Sequence, residues 1–206
     1  MESLRAVRPF IEELKSSAPT PGGGAVAGLC GSLAAAAAHM VGSLTIGKKK
    51  FADVQHETKG TMARLGVASD RFLFLAEDDA RAFDAFMDAW RLPKTTDEEK
   101  THRKTAIQTA ALAACTPPLA TLRQAQAILS DIDWIAVNGN KNAVSDAGVA
   151  AILVGATARS AALNVKINLS SLTPDDQVKV SAELEDLLNS TLEESAALEE
   201  KINAMI

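Results

Sequence analysis

Apolar and small residues recur every three or four positions from residue 51 to residue 90. The stripe consists of Phe51, Val54, Thr58, Met62, Leu65, Ser69, Phe72, Ala76, Asp79, Phe83, Phe86 and Trp90. This spacing predicts one helix of about ten turns with a single apolar face. The helix should end near Pro93, because proline disfavours a helical conformation in the residue before it. Strand-like alternation is almost absent elsewhere, so we predict an all-α protein.

The stretch from Gly24 to Gly47 carries almost no charge and consists mostly of Ala, Gly and Ser. It is long enough to span a bilayer, for which about 20 residues suffice. Small side chains contribute little to transfer into lipid, however, and His39 near the middle opposes it. We therefore expect a helix buried in protein on every side. Gly24, Gly28 and Ser32 recur about once per turn and would let another helix approach closely.

Proline, glycine and capping residues predict the remaining boundaries. A first short helix should start at Pro9 and bury Phe10, Ile11 and Leu14. A helix is expected from Thr95 or Thr96 to about Cys115, before Pro117 and Pro118, and another follows to about Val137. The last two are expected from Ser145 or Asp146 to about Asn168, and from Thr173, with Pro174 as first helical residue. The sequence thus predicts one domain, residues 1–206, built as a bundle of six or seven helices around a small-residue helix.

Composition narrows the class of partner. The 206 residues carry a net charge of -5, which argues against nucleic acid, because phosphate binding favours a basic face. Cys30 and Cys115 have the spacing of neither a zinc site nor a redox pair, so we interpret both as small buried side chains in a reducing compartment. The first ten residues lack the pattern of a secretion signal, and we expect a cytoplasmic protein with no membrane partner.

Asp79 is conspicuous because it interrupts the apolar stripe between Ala76 and Phe83. A carboxylate on a buried face should have either a partner or a raised pKa. A raised pKa would suit it to proton transfer near neutral pH. The alternatives are a buried ion pair or a stripe that turns toward solvent at this point, as Asp78 and Asp84 would allow.

Other candidate binding groups are less specific. Gly22, Gly23 and Gly24 at a helix start would leave approachable backbone N–H groups, although no phosphate-loop or dinucleotide motif accompanies them. The lysines from Lys48 to Lys50 would either lie in solvent or attract an anionic substrate. Asn140 and Asp146, with Asn142 between them, could bind a polar heterocycle or simply form a surface loop. The three histidines lack metal-ligand spacing, so no metal site is expected.

Four motifs in order resemble the cyclodeaminase/cyclohydrolase family over nearly the whole chain. They are "PTPGGG", "GSLTIGKKKF", "EDDARAFDAFMDAWRLPKTTDEEK" and "GNKNAVSDAGVA" followed by "ALNVKINL". The family contains the C-terminal domain of formiminotransferase-cyclodeaminase and the stand-alone bacterial methenyltetrahydrofolate cyclohydrolases. "TIGKKK" and "SDAGVA" make this chain look closer to the cyclohydrolases.

The resemblance implies an all-helical homodimer with a reduced-folate pocket near the subunit interface and no cofactor beyond the folate substrate. The family's D-x-x-A-F pattern makes Asp79 the implied catalytic residue. The glycine turn, Asn140 and Asp146 look like pocket walls, and Lys94 looks like a further substrate contact. Many members have Ser after the triple glycine, whereas this chain has Ala25.

The function expected from this resemblance is reversible hydrolysis of 5,10-methenyltetrahydrofolate to 10-formyltetrahydrofolate, with Asp79 as acid and base and the lysines steering the glutamate tail. Cyclodeamination of formiminotetrahydrofolate is the first alternative, because it involves the same carbon atom. A non-catalytic helical assembly protein is the second, since long apolar stripes and an alanine-rich core would suffice for it.

Overall fold

The computed structural model describes residues 2 to 206, with side chains from residue 5 onward. Its helices are α1 Glu2–Leu14, α2 Gly23–Ser43, α3 Gln55–Trp90, α4 Asp97–Ala127, α5 Leu129–Asn138, α6 Val144–Leu169 and α7 Pro174–Asn203, with short 3-10 helices at Lys49–Val54 and Lys141–Ala143. No strand occurs in the described range. The all-α fold and the predicted number of helices are confirmed.

The long helix predicted from the stripe is α3, whose 36 residues amount to ten turns. It begins at Gln55 rather than at Phe51, because Lys49–Val54 forms a 3-10 helix with a non-helical backbone conformation at Phe51. It ends at Trp90, three residues before Pro93. Leu65 and Phe72 on the stripe are completely buried. They pack in the core that α3 forms with α2.

Helix α2 packs tightly between α3 and α6 through its small residues. A Cβ atom on Gly28 would lie 2.7 Å from the backbone oxygen of Phe72, so a larger residue would push the two helices apart. The prediction that α2 is buried on every side is wrong, because Leu33 and Met40 are 51% and 43% exposed. Its neighbours cover only part of its circumference, and one face remains at the surface.

The prediction that a helix ends near Cys115 is also wrong, because α4 continues through Pro117 and Pro118 to Ala127. Proline removes the hydrogen bond to the carbonyl four residues earlier, which for Pro118 is that of Ala114. The side-chain amide of Asn168 replaces this bond and donates to the Ala114 oxygen at 3.2 Å. Both prolines are buried, so packing further offsets the loss.

Capping residues mark two helix starts as predicted. Thr96 and Glu99 form a reciprocal capping box at the start of α4. Thr173 accepts a hydrogen bond from the backbone of Asp176, and Pro174 is the first residue of α7.

Three other boundaries differ from the prediction. Helix α1 begins at Glu2 rather than at Pro9, and Ile11 is 41% exposed because α1 lies on the surface. Helix α2 ends at Ser43, so Lys48 to Lys50 lie beyond its last turn. Helix α6 begins at Val144, before Ser145 and Asp146.

Two helical segments have the length and hydropathy of membrane spans, namely Gly23–Ser43 and Lys141–Leu169. About half of each candidate window (56% and 50%) is buried within the fold. Cys115 is buried and Cys30 is half-buried, and both are free thiols. Burial raises the pKa of the Cys115 thiol to about 11, which makes it unreactive at neutral pH.

Candidate active site

A cavity of about 370 Å³ lies between the C-terminal part of α3, α4 and the C-terminal part of α6. This size is within the range of small-molecule sites. Its lining consists of Asp79, Phe83, Phe86, Met87, Trp90, Ala114, Asn164, Ile167 and Asn168. The cavity is therefore an apolar, aromatic slot with one carboxyl group and two side-chain amides.

The glycine turn at the start of α2 brings two of these polar groups together. A Cβ atom on Gly24 would overlap the carboxylate of Asp79, which comes from α3. A Cβ atom on Gly23 would lie 3.3 Å from Oδ1 of Asn164, which comes from α6. Consecutive glycines thus leave the space in which an acid and an amide from two different helices approach the same helix end.

The carboxyl group of Asp79 is half-buried and has a raised pKa. Loss of hydration is the cause, because burial disfavours the charged form. Nearby Arg81 pairs instead with Asp78, at 2.8 Å, on the exposed side of α3. Within residues 5 to 206, no hydrogen-bond donor or cation compensates for the lost hydration of Asp79. Of the two outcomes expected for a carboxylate on this stripe, the structure favours the raised pKa over a paired charge.

Aromatic side chains form the wall contributed by α3. Phe86 and Trp90 are stacked, with ring centroids 6.3 Å apart and an interplanar angle of 24°. The guanidinium of Arg103 lies 4.6 Å from the centre of the Trp90 ring and donates two hydrogen bonds to the Trp90 carbonyl oxygen. Arg103 thereby fixes the end of α3 and the orientation of this wall.

Two asparagines form the opposite wall, on α6. Asn164 donates from Nδ2 to the carbonyl oxygen of Ser160 at 2.9 Å. Asn168 donates from Nδ2 to the carbonyl oxygens of Ala114 and Asn164, at 3.2 and 3.0 Å. Asn168 uses both of its amide hydrogens in these bonds, and Asn164 uses one of its two, so backbone contacts orient both side chains.

The sequence profile of the formiminotransferase-cyclodeaminase family matches residues 6–187. This chain belongs to that family. A methenyltetrahydrofolate cyclohydrolase from Methylorubrum extorquens is 41% identical to it, and the match covers 98% of this chain and 96% of that protein. The formimidoyltransferase-cyclodeaminase of Sus scrofa is 31% identical over 97% of this chain, which corresponds to only 37% of the longer protein.

The fold matches a family member of known structure. The crystal structure of formiminotetrahydrofolate cyclodeaminase from Thermotoga maritima superimposes with a TM-score of 0.81 at 27% sequence identity. The match covers 97% of this chain and 94% of that chain. The resemblance inferred from the four sequence motifs is confirmed at the level of family and fold.

Part of the predicted family site is assembled at the cavity. Gly22 is the residue before α2, and Gly23 and Gly24 begin it beside Asp79. Lys94 lies next to the cavity, in a basic groove that also contains Lys100, Arg103 and Lys104. The Trp90–Arg103 contact forms the boundary between cavity and groove. The catalytic role of Asp79 and the binding roles of these residues stay predictions.

Lys48, Asn140 and Asp146 lie at the other end of the molecule. Helix α2 is 21 residues long, so Lys48 is about 30 Å from the glycine turn. Asp146 in the first turn of α6 is about 27 Å from Asn164. Within one chain these three residues do not line the Asp79 cavity.

Asn140 has a structural function in this family member. It is buried, and its backbone N–H donates to the hydroxyl of Thr45 at 2.9 Å. Its side chain donates to the carbonyl oxygen of Leu44 at 3.2 Å and accepts from the backbone of Asn142. These bonds attach the loop before α6 to the end of α2.

Sequence reasoning missed the two asparagines of the cavity. Both lie in the family motif "ALNVKINL", where Asn164 and Asn168 are four residues apart and therefore on the same helix face. This spacing is the sequence signal that could have identified the two asparagines as a pair. Ala25, where many members of the family have Ser, lines a separate cavity beside α1 rather than the Asp79 cavity.

Proposed function

We propose that this protein catalyses the reversible hydrolysis of 5,10-methenyltetrahydrofolate to 10-formyltetrahydrofolate. The observation that carries the proposal is the desolvated carboxyl group of Asp79 on the wall of an apolar cavity. The chain's 41% identity to a methenyltetrahydrofolate cyclohydrolase, over nearly all of both sequences, supports the same substrate.

The reaction needs one proton acceptor that later becomes a donor. The reacting carbon of the substrate is an amidinium carbon shared by two ring nitrogens. Water adds to it and gives a tetrahedral adduct, and cleavage of one carbon–nitrogen bond then leaves the formyl group on the other nitrogen. One proton passes from the water to the base and then to the departing nitrogen. The hydroxyl proton of the adduct is released to solvent as the formyl carbonyl forms.

Asp79 is the group that performs both transfers in this proposal. Its carboxylate stabilises the cationic substrate in a cavity where few water molecules compete. It then accepts the proton of the attacking water and returns it to the departing nitrogen. The raised pKa brings its affinity for protons closer to the working pH, which favours both directions of transfer.

The basic groove beside the cavity suits the anionic glutamate end of the folate. Lys94, Arg103 and Lys104 have no carboxylate within ion-pair distance in the described part of the chain, whereas Lys100 pairs with Asp97 at 2.8 Å. We propose that this groove attracts the tail while the cavity holds the reacting ring. KM should then rise with salt concentration, because screening weakens such attraction.

Cyclodeamination of formiminotetrahydrofolate is the second candidate, favoured by the structural match to the Thermotoga maritima cyclodeaminase. The two activities are separated by offering each substrate to the purified protein. Hydrolysis predicts loss of methenyl absorbance without ammonia release, whereas cyclodeamination predicts ammonia release from the formimino substrate. A purely structural helical protein predicts neither, and calorimetry with a reduced folate would show no binding.

We also propose a homodimer. The neighbouring helices α2 and α6 each expose large apolar side chains, including Leu33 and Met40 of α2 and Val149 and Ile152 of α6. A two-fold interface through this face would bury them. Ile152→Arg should give monomers in light scattering after size exclusion, whereas Val178→Arg, at an exposed position on α7, should not.

Location and further partners stay proposals. We propose a cytoplasmic protein, which is consistent with the two free cysteines. Among the described residues, no three His, Cys, Asp or Glu side chains converge as metal ligands would. Independence from metals and cofactors, and the expected lack of nucleic-acid and membrane partners, stay predictions for binding assays.

A further inference from the structure

The amide oxygens of Asn164 and Asn168 are the polar groups of the cavity to which the proposed chemistry assigns no function. Each amide nitrogen already donates to a backbone carbonyl group. Neither Oδ1 atom accepts a hydrogen bond from the part of the chain that the structure describes. Both side chains are half-buried, so their oxygens can meet a ligand in surroundings with little competing water.

The arrangement of the two oxygens matches a flat ligand rather than a flexible chain. Asn164 and Asn168 are one helical turn apart, which separates them by about 6 Å along α6. The opposite side of the cavity is the stacked pair of Phe86 and Trp90. A planar ring can therefore contact the aromatic wall while groups on its edge point toward α6.

The fixed amide nitrogens also determine which kind of edge fits. Because Asn168 is held by the carbonyl oxygen that Pro118 leaves free, it cannot turn its nitrogen into the cavity without breaking that bond. Asn164 donates one amide hydrogen to the carbonyl oxygen of Ser160 and keeps one N–H without a partner among the described residues. The wall thus offers two acceptor oxygens against one N–H donor and favours a ring edge that carries N–H donors.

We propose that Asn164 and Asn168 select the substrate by accepting hydrogen bonds from N–H groups of its reduced pterin ring, including the 2-amino group. This inference rests on the proposed function, since it assumes that a reduced folate occupies the cavity. Asp79 then acts on the one-carbon bridge, while the two asparagines fix the ring from the opposite wall.

The test compares Asn164→Leu and Asn168→Leu with the wild type on methenyltetrahydrofolate. Leucine has a similar volume but leaves a ligand N–H group without an acceptor, so KM should rise roughly tenfold while kcat changes little. Asn138→Leu is the matched control. Asn138 also donates to the carbonyl four residues earlier, at 2.9 Å, but lies on α5 outside the cavity. The KM of the Asn138→Leu variant should remain that of the wild type.

A folate analogue with methyl in place of the 2-amino group identifies the bond itself. The wild type should bind this analogue roughly tenfold more weakly than the natural compound. The variant that lacks the accepting oxygen should bind the analogue and the natural compound with similar affinity. It makes no hydrogen bond to the 2-amino group, so the analogue has no such bond to lose. Melting temperatures should show that the variants are folded.

Two results would overturn the inference separately from the proposed function. If the wild type turns over the folate but neither leucine variant changes KM, the asparagines only support the backbone. If both variants still discriminate against the analogue, the 2-amino group is bound elsewhere. Failure of the wild type to bind any reduced folate would instead remove the proposed function, and the inference with it.

Discussion

The two halves of α3 carry the same apolar stripe but have different surroundings. In the first half, Leu65, Ala68 and Phe72 are buried, and Ser69 bonds to Ser32 of α2 at 2.8 Å. In the second half no residue from 76 to 90 is buried, and Trp90 is 52% exposed.

The difference arises from where α2 begins. The two helices run antiparallel, with Gly42 beside Met62 and Gly24 beside Asp79. Because α2 starts at Gly23, α3 extends about three turns beyond it. The same spacing of apolar residues therefore builds a core where a neighbour is present and a cavity wall where it is missing.

The largest effect expected from this comparison is on catalysis. Asp79→Asn should lower kcat by about 10²–10⁴-fold, because the amide cannot accept and return a proton. The melting temperature should not fall, since the substitution removes a desolvated charge. Asp84→Asn on the exposed side of α3 is the control and should leave turnover unchanged. Near-normal turnover of a folded Asp79→Asn variant would refute the catalytic assignment.

The next prediction compares the loss of one phenylalanine side chain in each half of α3. Phe72→Ala should destabilise the protein by about 3–5 kcal/mol, because it opens a void in a packed core. Phe83→Ala should cost about 1 kcal/mol, since its side chain borders space that is already open, and should instead raise KM. Denaturant unfolding measures both costs. Equal losses of stability would mean that the second half is also core.

A smaller effect is expected at the junction of the halves. Gly24→Ala should lower kcat about 10–100-fold, because the added methyl group displaces the Asp79 carboxylate. Gly66→Ala on α3 meets no atom within 4 Å and should instead stabilise the fold by about 0.5–1 kcal/mol. The kcat and the thermal unfolding of Gly24→Ala and Gly66→Ala are measured side by side. Normal kcat in Gly24→Ala would show that the carboxylate can act from another position.

The smallest effect is the pH dependence of stability. Because the folded-state pKa of Asp79 lies above its ordinary value of 3.8, the folded protein binds this proton more tightly than the unfolded chain. The wild type should therefore lose stability relative to Asp79→Asn as pH rises from 3.8 to the folded-state pKa of Asp79. Below pH 3.8 the difference in stability between the two proteins should vanish. Unfolding of both proteins across this range measures it. A constant difference would contradict the raised pKa.

Local sequence patterns predicted most of the helices and the most prominent acid. The stripe predicted α3 and its end near Pro93, because helix periodicity and proline act locally, although α3 begins four residues after Phe51. Thr96 and Thr173 marked helix starts for the same reason. Asp79 was conspicuous because a carboxylate on an apolar face carries an energetic cost that the pattern itself reveals.

Packing between helices places some of the candidate residues together and others far apart. The glycine turn approaches Asp79 and Asn164 although 55 and 140 or more residues separate them, and only helix packing sets such distances. Lys48 and Asp146 looked equally suitable in sequence, yet the lengths of α2 and α6 carry them to the far end. Asn168 at the cavity bonds to the carbonyl oxygen of Ala114, which Pro118 leaves free on another helix. Such pairing depends on contacts between elements, which local sequence patterns do not encode.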